Sequence, residues 1–93
     1  MTPLVVCLLV ARIRLYTTQW CGFCHAAKAL LDRKGLPYEE IDIGLDPAFR
    51  QRLVELTGRW TVPQIVIDGE AIGGYTELRA LDRQGELDRR LAA

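Results

Sequence analysis

The chain has 93 residues, 49% of them hydrophobic and 26% charged, and its 12 basic and 12 acidic side chains cancel to a formal net charge of +0. A chain of that length builds one small domain of about two layers, and the balance of charge excludes a global field for nucleic acid or an anionic membrane. Three cysteines are too few for a secreted disulfide scaffold, so a reducing, cytoplasmic compartment is expected, with Cys-x-x-Cys serving redox or metal chemistry.

Residues 1–11 open the chain as an apolar extension. The run Leu4 to Val10 is far shorter than the roughly 20 residues that span a bilayer. It follows no basic residue, and Arg12 comes after it without a cleavage-site spacer, so it reads as an extension of the first strand or an N-terminal appendage rather than an export signal. Cys7 within it reads as a small apolar residue or an incidental thiol. The domain proper is expected over residues 12–93. Ala11 to Tyr16 alternates as a half-buried strand does, and Phe23, Ala26, Ala27, Leu30 and Leu31 then recur at helical spacing. That helix should close at Gly35, with Pro37 preventing continuation.

Tyr38 to Ile43 reads as a second strand. Asp46 and Pro47 supply an N-cap and a first-turn proline for a helix carrying Phe49, Leu53 and Leu56 and ending at Gly58. Ile65 to Ile67, the turn Asp68-Gly69 and Glu70 to Ile72 form a β-hairpin. After Gly73-Gly74 a third helix is expected with Thr76 as N-cap and Leu78 and Leu81 inward. It stops near Gly85, before a short last helix with Leu87 and Leu91. The order βαβ, helix, β-hairpin, helix describes an α/β domain on a four-stranded mixed sheet flanked by helices, and such sheets place their sites beyond the C-terminal end of the first strand.

Trp20-Cys21-Gly22-Phe23-Cys24 lies at that point. With Cys21 at the helix N-terminus, free backbone N–H groups and the positive end of the helix dipole stabilise a thiolate more than a thiol. Cys24, one turn on, is placed to attack a disulfide formed at Cys21. His25 completes a Cys-x-x-Cys-His string that also serves for haem attachment, yet no second His exists and Met1 is the single methionine. Zinc on Cys21, Cys24, His25 and Cys7 is disfavoured because adjacent helical residues diverge by about 100°. His25 is therefore expected as a surface residue, and no metal site is expected.

Further motifs extend the pattern: Tyr16-Thr17, the stretch His25 to Leu31, Thr57-Gly58-Arg59, Thr61-Val62-Pro63-Gln64 and Gly73-Gly74. Together with Cys21-x-x-Cys24 these resemble the dithiol glutaredoxins, within the thioredoxin fold, over about residues 12 to 92. The resemblance implies a cis Pro63 beside Cys21 and a Val62 whose backbone pairs with the cysteine of bound glutathione. It implies that Gly74 and Thr76, opening a helix, receive the γ-glutamyl carboxylate, that Arg59 meets the glycine carboxylate, and that Phe23, Thr61 and Tyr75 complete the binding set. The chain departs from the family in Gly22-Phe23, where Pro-Tyr is usual, in Thr18, where lysine is common, and in Tyr75 and Thr76, where cysteine and aspartate are frequent. Trp20-Cys21-Gly22 is also similar to thioredoxins and mycoredoxins.

The implied activity is glutathione-dependent thiol-disulfide exchange on glutathionylated or disulfide-containing proteins, by a monomer. Cys21 takes glutathione from the substrate, and a second glutathione or Cys24 removes it. The alternative carried by Gly22-Phe23 is a dimer that bridges a 2Fe-2S cluster through Cys21 and two glutathiones.

Overall fold

The computed structural model of the chain describes residues 12–44 and 47–92. The expected extension over 1–11, Cys7, Ala11 at the start of the expected first strand and the expected N-cap Asp46 lie outside the described residues. Among those described, the strands are β1 (Ile13–Thr17), β2 (Glu39–Asp42), β3 (Gln64–Ile67) and β4 (Glu70–Gly73). The helices are α1 (Gly22–Arg33), α2 (Pro47–Thr57), α3 (Tyr75–Arg83) and α4 (Glu86–Ala92). The sheet order is β2-β1-β3-β4, with β1 and β2 parallel and the remaining neighbours antiparallel. This is the mixed sheet that the element order predicts.

Alternation of side chains explains how β1 becomes a central strand. Ile13 and Leu15 point to one face, where they join Ile65 and Ile67 from β3 and are covered by Ala27, Leu30 and Leu31 of α1, Leu78 of α3 and Leu87 of α4. Tyr16 points to the other face and packs with Ile43 and Leu53. β2 is an edge strand, and its exposed Glu39 and Glu40 suit that place. It is shorter at both ends than Tyr38 to Ile43, although the Ile43 N–H still donates to the Thr17 carbonyl at 2.9 Å.

The stop at Gly35 forms as expected. Gly35 takes φ 68°, and the Leu36 N–H returns to the Leu31 carbonyl at 3.0 Å, satisfying a helix-end acceptor. In the hairpin both Asp68 (φ 51°) and Gly69 (φ 83°) are left-handed, the combination a two-residue turn requires. Arg12 then ties this turn to the end of the chain. Its guanidinium donates to both Asp68 carboxylate oxygens, at 2.8 and 2.7 Å, and to the carbonyls of Leu91 and Arg90.

Two expectations need correction. Phe49 and Leu56, placed on an apolar stripe of α2 with Leu53, are 43% and 51% exposed. The helix lies alone on its face of the sheet, so only the residue pointing straight down is covered. Thr76 does not cap α3; Gly74 does, in an extended conformation, and Thr76 falls inside the first turn. Gly74 has no side chain to cap with, and the Glu77 carboxylate turns back to accept the Gly74 N–H at 2.7 Å, the reverse bond of a capping box, which fixes the helix start at Gly74.

Candidate active site

The turn between β1 and α1 sets Cys21 at the N-cap of α1 with extended backbone angles (φ −102°, ψ 112°). Its sulfur accepts the Cys24 N–H at 3.1 Å, one of the helix-start donors that lack an intrahelical partner. Developing negative charge on that sulfur therefore meets a fixed donor and the helix dipole. Cys21 is partly exposed and Cys24 fully buried, and both are free thiols. Burial, followed by the hydrogen bond to Cys21, pushes the Cys24 thiol up to about 12, with the Thr18 backbone and Lys28 pulling the other way. The two sulfurs thus divide the labour: one is accessible and faces donors, the other is held neutral behind it.

The Val62–Pro63 peptide is cis, as the resemblance implies. It brings the Val62 carbonyl to 3.6 Å from the Cys21 thiol, which donates to it. Among the described residues the Val62 N–H has no partner, so one backbone donor and one backbone acceptor stand beside the reactive sulfur.

A cleft of about 230 Å³ runs away from this point. Phe23, Arg59, Thr61, Val62, Pro63, Gly74, Tyr75 and Thr76 all line it, so the binding residues singled out from the sequence converge although they come from three separate segments. Phe23 and Tyr75 stack across it with ring centroids 6.2 Å apart. Two further residues, Gln64 and Glu77, also line the cleft. Gln64 is buried, donates to Thr61 Oγ1 at 3.3 Å and leaves its Oε1 without a partner. Glu77 lies 3.7 Å from Arg59 Nη1 while holding the Gly74 N–H. Its position in the sequence, three residues after the helix cap, is the capping-box spacing and was the available signal.

The glycine pair now has a physical reading. A Cβ on Gly73, which takes φ 115°, would sit 2.8 Å from Glu77 Cγ and Oε1, and one on Gly74 would sit 3.2 Å from the Pro63 carbonyl oxygen. Side chains at either place would push apart the cap, the cis turn and the cleft wall.

The glutaredoxin family profile matches residues 13–72. The chain belongs to the glutaredoxin family. It is 46% identical to Glutaredoxin 3 of Escherichia coli K12 over 79 residues, covering 85% of this chain and 95% of that protein. It is equally identical to a glutaredoxin of Pseudomonas aeruginosa, with 85% and 94% covered. Among solved structures it is similar to a buckwheat glutaredoxin in complex with glutathione (TM-score 0.80, 29% identity, 96% of this chain and 86% of that one). The four-stranded mixed sheet and its helices are therefore the thioredoxin fold, and the chemistry of a glutaredoxin is thiol-disulfide oxidoreduction. Among the described residues no helix is long and apolar enough to cross a membrane.

Proposed function

We propose that this glutaredoxin uses glutathione to reduce protein-glutathione mixed disulfides and protein disulfides. The observation that carries the reading is the cleft: it opens at Val62, whose carbonyl meets the Cys21 thiol, offers a free peptide edge there, and carries the Arg59–Glu77 ion pair beside the start of α3. Glutathione is complementary to that layout. Its cysteine backbone pairs with Val62 as a short β-bridge, the incoming N–H replacing the Cys21 thiol on the Val62 carbonyl. The glycine carboxylate is taken by Arg59, and the γ-glutamyl carboxylate by the N–H groups at the start of α3, from Gly74 to Thr76. Glu77 then leaves Gly74 to meet the γ-glutamyl ammonium. Phe23, Tyr75 and Thr61 wall the channel. The buckwheat relative with glutathione bound supports this choice of thiol.

The reaction proceeds by two exchanges. Cys21 thiolate attacks the glutathione sulfur of the mixed disulfide, and the protein thiol leaves. A second glutathione, or Cys24, then attacks the sulfur pair on Cys21 and restores or oxidises the enzyme. The cleft contributes mainly by holding the sulfur of glutathione in line with Cys21 and by keeping charge on the Cys21 sulfur stabilised. Cys24, hydrogen-bonded to Cys21, favours the reductase over the cluster carrier, which has no step for a second thiol. The fit of the domain to a reducing, cytoplasmic compartment belongs to the same reading.

The test is the glutathione-dependent turnover of a glutathionylated peptide by the wild type and by Cys24→Ser. Retention of most activity in Cys24→Ser, together with a severalfold higher KM for glutathione in Arg59→Ala, is the expected result. A wild type that turns over only with a different reductant would overturn the choice of glutathione.

A further inference from the structure

A charged pair that begins one helical turn after Cys24 has no part in the cleft. Lys28 follows Cys24 by four residues on α1, which stacks the two side chains on one face of the helix, and each acts electrostatically on the other. The lysine is held from the sheet. Its Nζ donates to Glu40 Oε2 of β2 at 3.0 Å, and the same oxygen accepts the Thr17 hydroxyl of β1 at 2.8 Å. Thr17 is buried, and the backbone of the next residue, Thr18, favours charge on the Cys24 sulfur. A chain of contacts thus leaves Cys24 along α1, crosses to β2 and β1, and returns to Cys24.

Partial burial disfavours the charge on Glu40, yet the hydrogen bonds from Thr17 and Lys28 win and hold its carboxyl below the usual range, so the pair stays ionised at neutral pH. The other titratable groups bearing on the pair are His25 of α1, facing Glu40, and Tyr38, beside β2 and facing Lys28. Cys24 itself is buried and hydrogen-bonded as a neutral thiol. Such a thiol is a poor nucleophile unless charge on its sulfur is offset as it develops.

We propose that Lys28, anchored by Glu40 and Thr17, is a positioning residue that promotes the attack of Cys24 on a mixed disulfide at Cys21. The proposal rests on the dithiol route described above. In that step the Cys24 thiol gives up its proton and its sulfur bonds to Cys21 Sγ. The bond between Cys21 and the small thiol breaks, and the small thiol leaves as a thiolate that takes up one proton. The two protein sulfurs are oxidised to a disulfide and the small thiol is reduced, so no further oxidant is required. The ammonium of Lys28 offsets the charge on the Cys24 sulfur during the attack, and Glu40 keeps that ammonium from swinging into solvent.

The experiment follows release of the small thiol at pH 7 from protein carrying either glutathione or 2-mercaptoethanol on Cys21, prepared and stored in acid. Because thiolate nucleophilicity falls with pKa with a coefficient of about 0.4–0.5, raising the pKa of Cys24 by one unit slows the attack about three- to fourfold. Lys28→Met should therefore slow release severalfold for both adducts, Glu40→Gln should slow it less, and Lys28→Arg should restore most of the rate. In a Cys24→Ser background, Lys28→Met should leave glutathione-dependent turnover unchanged. Equal slowing of both routes, or no slowing of release, overturns the proposal. A wild type that releases neither thiol overturns the dithiol route and the proposal with it. Loss of glutathione turnover with 2-mercaptoethanol release still sensitive to Lys28 overturns only the choice of glutathione.

Discussion

The face of the sheet under α1, α3 and α4 buries Ile13, Leu15, Ile65 and Ile67 against Leu30, Leu31, Leu78 and Leu87, whereas the face under α2 buries Tyr16 and Ile43 against Leu53 alone. Three helices shield each other's flanks on the first face. On the second, a single helix leaves Phe49, Val54 and Leu56 exposed. The cleft is built on the seam between the two, since Tyr75 leans on the deep cluster and Val62 on the shallow one. The wall that carries the helix start is therefore anchored in the part of the molecule that is hardest to open, and the peptide edge beside Cys21 rests on the part that opens most readily.

Breaking the deep face should have the largest effect. Leu15→Ala, at a fully buried site enclosed by helices and strands, is expected to cost about 3–5 kcal/mol of unfolding free energy, read from denaturant titration. Leu53→Ala should cost about 2–3 kcal/mol, because the open flanks of α2 allow partial collapse. Because Val62 packs against that cluster, the same substitution should raise KM for glutathione severalfold, an effect that a change on the deep face lacks at equal residual stability.

The comparison is sharpened by pH. The Cys24 thiol, buried in α1, holds its proton more tightly in the folded chain, up to about 12. The folded state therefore binds more protons than the unfolded one across the alkaline range, so the stability present below the unfolded thiol pKa is lost as pH rises from about 9 toward 12. Urea unfolding between pH 8 and 11 should show this loss in the wild type and a flatter profile in Cys24→Ala. Leu56→Ala is the smallest expected effect. With 51% of the residue exposed, it should shift stability by no more than about 0.5 kcal/mol, and a larger shift would mean that the α2 face is covered in solution.

Local rules acted where their cause lies within a few residues. Strand alternation, the Gly35 stop, the Asp68-Gly69 turn and the placing of Cys21 at a helix start were all legible, because backbone geometry and side-chain period decide them before any distant contact forms. The site was legible in part, since residues 59–63 and 74–76 carried a family pattern whose convergence needed no geometry to be expected. Glu77 escaped notice, and Gln64, quoted as the end of a motif, was given no place in the site, for a physical reason: one reaches the cleft through a capping bond and the other through a buried side chain, and neither leaves a periodic trace. The stripe of α2 misled because helical spacing records which residues share a face and does not record how wide a surface lies opposite.

By itself, then, the sequence determined the order of elements, the mixed sheet and the reactive pair of thiols, all of which follow from short-range sterics and the burial of apolar periods. Only the tertiary structure decided how deep each face of the sheet is and that Lys28, Glu40 and Thr17 meet across α1, β2 and β1. The Lys28–Glu40 and Thr17–Glu40 contacts join segments 12 and 23 residues apart in sequence, and only the packing of the sheet against its helices brings them within bonding distance.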